Sequence, residues 1–274
     1  MSKAPVLLAD TRFVKTMTMA GAAAAALGGA LSLAAAFADY ERFLFGYLIA
    51  FVFFGGIAVT AVFFSMLQFL VRAGWSTAVR RIPELMGGFT PLLLVFVLPI
   101  VFGVHELYHH WVHPEPGDVV LQGKAAWLNV PFFTIRLFVY IGVWIGMYYL
   151  IVGNSFRQDA RTDIAPTRRN WALSAPVTIF FGVTITFAAF DLLMSLYPHW
   201  FSTIFGVYYF SGSLVGALAV ITIIAVLLKK AGLLDAWLTT ERFHDLGKLL
   251  FAFNVFWAYI AFSQYLLIWY EDIP

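Results

Sequence analysis

Seven apolar runs, each long enough to cross a bilayer, constrain this chain more than any other feature. They cover approximately residues 16–38, 43–71, 84–108, 130–153, 171–195, 203–228 and 246–270. At about 1.5 Å of rise per residue, a helix of that length spans roughly 30 Å of hydrocarbon. The chain is 62% hydrophobic and only 12% charged, with a mean hydropathy of +0.85. A soluble domain of 274 residues has too little interior to hide so much apolar surface. The expectation is therefore an all-α integral membrane protein with about seven transmembrane helices. An arm at 1–15 precedes a single transmembrane domain at 16–270, and 271–274 opens a further segment. The first run lacks a cleavage pattern and reads as a retained helix. Its Gly21, Ala25 and Gly29 form a stripe of small residues suited to close helix packing.

Lysine and arginine orient the bundle. Thirteen basic residues fall on one side: Lys3, Arg12 and Lys15, then Arg72, Arg80 and Arg81, then Arg157, Arg161, Arg168 and Arg169, and finally Lys229, Lys230 and Arg242. The other side holds only Arg42 and Lys124, with Arg136 and Lys248 inside apolar runs. The positive-inside rule then places the N-terminus in the cytoplasm and the C-terminus in the periplasm. The net charge of +2 is a topology signal and implies no nucleic-acid partner. With no cysteine in the sequence, the chain offers no thiolate for an iron–sulfur cluster or a thiolate-bound metal.

Three titratable residues stand a few positions inside apolar runs near the outer face: His105, Arg136 and Asp191. A charge in hydrocarbon is costly and marks an ion, proton or substrate site by default. Arg136 and Asp191 sit at similar depths, about 7 Å inside their helices, so a buried pair is geometrically feasible. Two readings stay open: a structural ion pair tying two helices together, or a proton-exchanging carboxylate tuned by the arginine.

The third run contains Pro91 and Pro99, which predict a kink. It ends in His105-Glu-Leu-Tyr-His-His-Trp-Val-His113. His105, Glu106 and His109 match the H-E-x-x-H pattern of zinc proteases, although no third intramembrane ligand is evident and Asp235 lies across the membrane. His105 with His199 is the only outer pair available to a bis-histidine haem. His109, His110 and His113 read as solvated interfacial residues. Trp111, Tyr197, Trp200, Trp269 and Tyr270 outside, with Trp75 and Trp171 inside, read first as an aromatic belt. In the seventh run His244, Lys248, Tyr259 and Tyr270 share one helix face, either as a proton relay or as packing residues. Thr184 lies seven residues before Asp191 on the same face, and Ser195 four after it.

Two longer stretches carry a family resemblance: Phe187 to Gly212 (FAAFDLLMSLYPHWFSTIFGVYYFSG) and Ala258 to Pro274 (AYIAFSQYLLIWYEDIP). Both resemble the integral-membrane subunits of alternative complex III, a bacterial quinol:cytochrome c oxidoreductase, within the polysulfide-reductase (NrfD-like) family. The resemblance covers runs three to seven. It implies a four-helix bundle inside a subunit of about ten helices. This chain then reads as the N-terminal portion, because the family's seventh helix ends in Tyr-x-x-Ile-Pro-Glu-Glu and runs on. The implied setting is the bacterial inner membrane and the respiratory chain. The implied activity is quinol oxidation by the assembled complex, with quinone or quinol as substrate and no redox cofactor bound by this chain. The implied partners are a sister NrfD-like subunit, multihaem and monohaem cytochrome c subunits carrying haem c, an iron–sulfur subunit with its Fe–S clusters, small membrane subunits, lipid, and a terminal cytochrome oxidase in a supercomplex. On this resemblance Asp191 and His105, with Arg136, become proton-exchange or quinone-bonding residues. His199, Tyr259, Lys248, His244, Thr184 and Glu106 are further candidates for quinone contact or proton passage. The sister subunit, next to the iron–sulfur protein, is the better place for quinol oxidation itself. This chain is left a proton pathway, a second quinone pocket or a scaffold.

Overall fold

The computed structural model describes residues 12–234 and 236–272. Lys3, Asp235 and the end of the chain at Pro274 lie outside these residues. Seven helices are long and apolar enough to cross a membrane. They are α1 (Arg12–Ala38), α2 (Tyr40–Leu70), α3 (Arg81–Phe102), α4 (Val130–Asp159), α5 (Ala165–Leu192), α6 (Phe205–Lys230) and α7 (Thr240–Tyr270). Six of the seven apolar runs form one continuous helix each, the third is broken into several segments, and several helices outlast their runs. α4 continues through Asn154, Ser155, Arg157 and Gln158 to Asp159. Hydropathy marks the hydrocarbon slab, whereas backbone bonding ends only where caps and turns take over. α1 likewise includes residues 12–15, ahead of its apolar run.

Side-chain caps define two of the starts. Asp39 accepts from the Arg42 N–H at 3.0 Å to open α2, and Asn129 accepts from the Phe132 N–H at 3.0 Å to open α4. Each satisfies one of the free donors of a first turn. α3 is the irregular member. It runs as an α-helix over Arg81–Met86, tightens to 3-10 over Gly87–Leu92, and resumes over Leu93–Phe96 and Leu98–Phe102. Pro91 and Pro99 lack the N–H that would extend the ladder, which accounts for the breaks. Two single-turn helices follow, Val104–Leu107 and His109–Val112.

α2 is the hub, with 78% of its membrane window buried. It packs on α1, α3, α4, α5 and α6, while α4–α5, α5–α6 and α6–α7 pack as sequence neighbours. α2, α4, α5 and α6 thus make a four-helix bundle. At its centre Phe63 of α2 stacks on Phe181 of α5 at 4.5 Å and meets Phe210 of α6 edge-on at 5.2 Å. Gly206 lets α6 approach α5: an added Cβ would lie 2.9 Å from the Thr186 Cα.

α1 and α7 flank this bundle. No residue of α1 is buried, and only Leu246 and Ile260 of α7 are. Among the described residues the glycines of the α1 stripe meet no other helix, since a Cβ added at Gly21 or Gly29 finds nothing within 4 Å. Because the helices alternate in direction, the α2–α3, α4–α5 and α6–α7 connections share one end, here the basic end.

Candidate functional site

At the end opposite the basic one, α4 and α5 bury a charge centre. The Asp191 carboxylate, 1% exposed, faces Arg136, 5% exposed. Asp191 Oδ2 accepts from Arg136 Nε at 2.7 Å and from the Tyr140 hydroxyl at 2.8 Å. Its Oδ1 accepts from Arg136 Nη2 at 2.9 Å and from Trp127 Nε1 at 3.0 Å. The remaining Arg136 Nη1 donates to the Trp127 carbonyl at 2.8 Å, and the guanidinium lies over the Trp127 and Phe132 rings at 4.1 and 4.4 Å. Both carboxylate oxygens are thus fully engaged by donors, in the two-pronged geometry that strengthens an arginine–carboxylate contact. The arrangement is that of an anion held fixed.

Arg136, Tyr140 and Trp144 recur every four residues, so α4 presents all three on one face. Trp144 Nε1 donates to Thr184 Oγ1 at 3.0 Å. Toward the basic end the same α4–α5 seam stays polar. Thr178 Oγ1 donates to the Ser174 carbonyl at 2.7 Å, and Ser174 Oγ to the Asn170 carbonyl at 2.7 Å. Asn154 Nδ2 donates to Asn170 Oδ1 at 3.1 Å, and Arg157 Nη1 to Asn154 Oδ1 at 3.1 Å.

The seam ends in a second buried carboxylate, Glu84 of α3, whose side chain is 0% exposed. Arg81 Nη1 reaches Glu84 Oε2 and, at 3.2 Å, the Ser155 hydroxyl. Arg81 also ion-pairs with Asp159. Glu84 Oε1 differs from every oxygen of Asp191. Arg80 Nε stands 3.4 Å away, yet Oε1 has no hydrogen-bond partner. Oε1 is therefore held by charge and not by a hydrogen bond, since Arg80 Nε, itself without a hydrogen bond, ion-pairs with it.

The sequence candidates separate accordingly. Asp191, Arg136 and Thr184 lie on the seam. His105 does not join them: it is exposed, and its ring neighbour is His113 at 5.6 Å. The expected convergence of His105 on Asp191 is corrected here, because the helix is interrupted at Gly103 (φ −92°, ψ 18°), just ahead of His105, and Tyr108 takes the inward position. Tyr108 is fully buried, and its hydroxyl donates to the Leu192 carbonyl at 3.0 Å. Glu106 is exposed. His244, Lys248 and Tyr259 are exposed on α7, where Lys248 pairs with Asp245 at 3.1 Å. Among the described residues no group of three or more His, Asp or Glu is placed to hold a metal ion, so the H-E-x-x-H pattern finds no third ligand there. Trp111, expected in the interfacial belt, is buried against Tyr108 and Phe133.

His199 closes the loops above the charge centre. Its Nε2 lies 2.7 Å from Asp118 Oδ2, and Asp118 also caps the short helix Val119–Lys124 by accepting from the Leu121 N–H at 3.0 Å. That N–H, followed by His199, holds the Asp118 carboxyl below the usual carboxylate range. A depressed carboxyl stabilises the fold fully above its unfolded value of about 3.9, and the contribution is lost as pH falls through the folded value. The gap in thermal stability between wild type and Asp118→Asn is therefore expected to be constant above about pH 4 and to close below it. A pH series of melting curves checks this.

Sequence reasoning missed Tyr140, Trp127 and Glu84. Tyr140 was reachable, four residues after Arg136 on the same face. Trp127 comes from a loop with no periodic signal. Glu84 stood at the edge of an apolar run, where a carboxylate ordinarily meets water.

The fold and its buried charges define an all-α, multi-span membrane protein. No protein-family model matches the chain, and no curated protein matches it.

Proposed function

We propose that this chain is an integral-membrane subunit of a respiratory quinol-oxidising, cytochrome-reducing complex, and that its own contribution is a proton path along the α4–α5 seam. The membership rests on the resemblance of Phe187–Gly212 and Ala258–Pro274 to such subunits. The contribution rests on one observation: buried polar side chains, with Thr178 half-buried among them, follow one another from Glu84 through Ser155, Asn154, Asn170, Ser174, Thr178 and Thr184 to Tyr140 and Asp191. Hydrocarbon tolerates such groups only where they have partners or work to do.

In this reading the two carboxylates have different roles. Glu84, whose Oε1 faces Arg80 without a hydrogen bond, takes up and releases protons. Asp191, held by four donors, is the fixed counter-charge that aligns Tyr140. Steps of four residues between Asn170, Ser174 and Thr178 are about 6 Å apart along the axis. The longer steps from Thr178 to Thr184 and from Thr184 to Asp191 are about 9 and 10 Å, so water bridges them. The electrons travel through partner subunits.

Affinity purification of the tagged chain from its native membrane tests the membership. Haem c absorbance, an iron–sulfur signal and quinol:cytochrome c activity are expected in the same fraction. A chain that elutes without haem or quinol oxidation contradicts the reading.

A further inference from the structure

Two cavities lie on another face of the bundle, among residues that the proton path does not use. α2, α3 and α6 enclose an apolar cleft of about 660 Å³, lined by residues such as Phe51, Phe54, Met86, Phe89 and Val220. That volume is typical of a small-molecule site. Its one polar wall residue, Tyr47, has its hydroxyl committed to the Phe96 carbonyl at 2.7 Å. A quinone ring placed in this cleft would find no hydrogen-bond partner, whereas a hydrocarbon chain needs none.

A second crevice of about 530 Å³ lies between α1 and α2 and contains Ser32, Asp39 and Arg42. The two cavities share Tyr47 and Ala50 as walls. Asp39 is occupied in capping α2, through the Arg42 N–H. The Arg42 side chain is exposed, and no carboxylate of the described residues pairs with it. The dimensions also suit one molecule. From Tyr47 to Ala58 along α2 the cleft runs about 16 Å, close to one leaflet of a roughly 30 Å hydrocarbon core. Arg42 lies a further turn and a half beyond, where a headgroup would sit.

We infer that the two adjoining cavities hold one anionic phospholipid, with its phosphodiester on the Arg42 guanidinium and an acyl chain in the α2–α3–α6 cleft. The charge selects the headgroup, since a basic side chain near the surface favours anionic lipid. The apolar wall selects the chain.

Native mass spectrometry of the protein, purified with its partners and released from nanodiscs of equal phosphatidylglycerol and phosphatidylcholine, tests this. About fivefold preferential retention of phosphatidylglycerol is expected. Arg42→Gln, a change at an exposed position, should abolish the preference while lipid is still retained. Ala50→Phe, which enlarges the wall residue that both cavities share, should lower retention of both lipids. Equal retention by wild type overturns the inference, as does an unchanged preference in Arg42→Gln. Recovery of a quinone that Ala50→Phe displaces overturns it as well.

Discussion

Replacing Asp191 with alanine is expected to destabilise the protein by about 3–5 kcal/mol, because it strands a buried arginine without its counter-ion. Two further donors, the Tyr140 hydroxyl and the Trp127 indole N–H, lose their acceptor in the same step. The double variant Arg136→Met/Asp191→Leu is expected to cost distinctly less, since it removes both charges and leaves only those two neutral donors unsatisfied, at about 1–3 kcal/mol each. Denaturant unfolding in a mild detergent measures both. A double variant as unstable as Asp191→Ala would mean that the pair contributes attraction beyond its own desolvation. A single variant close to wild type would mean that water reaches Arg136.

Glu84→Gln carries the second large effect. The amide keeps the size of the side chain and its contact with Arg81, and removes the exchangeable proton. Proton transfer through a positioned group contributes typically 10²–10⁴-fold to a rate. Proton movement coupled to quinol oxidation in proteoliposomes is therefore expected to fall on the order of a hundredfold, with the protein still assembled. Full proton coupling in Glu84→Gln would remove this residue from the path.

Much of the architecture was readable in the residues. Periodic apolar runs and their length fix seven spans, because hydrocarbon leaves a backbone no other way to satisfy itself. The Arg136–Asp191 pair was readable for the same reason: two opposite charges at matching depths have few alternatives to meeting. His105 was misjudged. Its depth in the run was counted as if α3 were one unbroken helix, whereas the breaks at Pro91, Pro99 and Gly103 rotate the later residues to new faces. The α7 stripe was correctly placed on one face, but sequence periodicity does not tell which face is covered. Helix order hid Glu84, since its burial depends on Ser155 arriving from 71 residues further along the chain.

Infrared difference spectroscopy of the carboxylic-acid carbonyl stretch, recorded on quinol addition to the assembled complex, addresses the division of labour between the two carboxylates most directly. A band from a carboxyl changing protonation is expected in wild type, absent in Glu84→Gln and present in Asp191→Asn. A band that survives Glu84→Gln and disappears in Asp191→Asn would contradict the account, making Asp191 the exchanging group and Glu84 the fixed one.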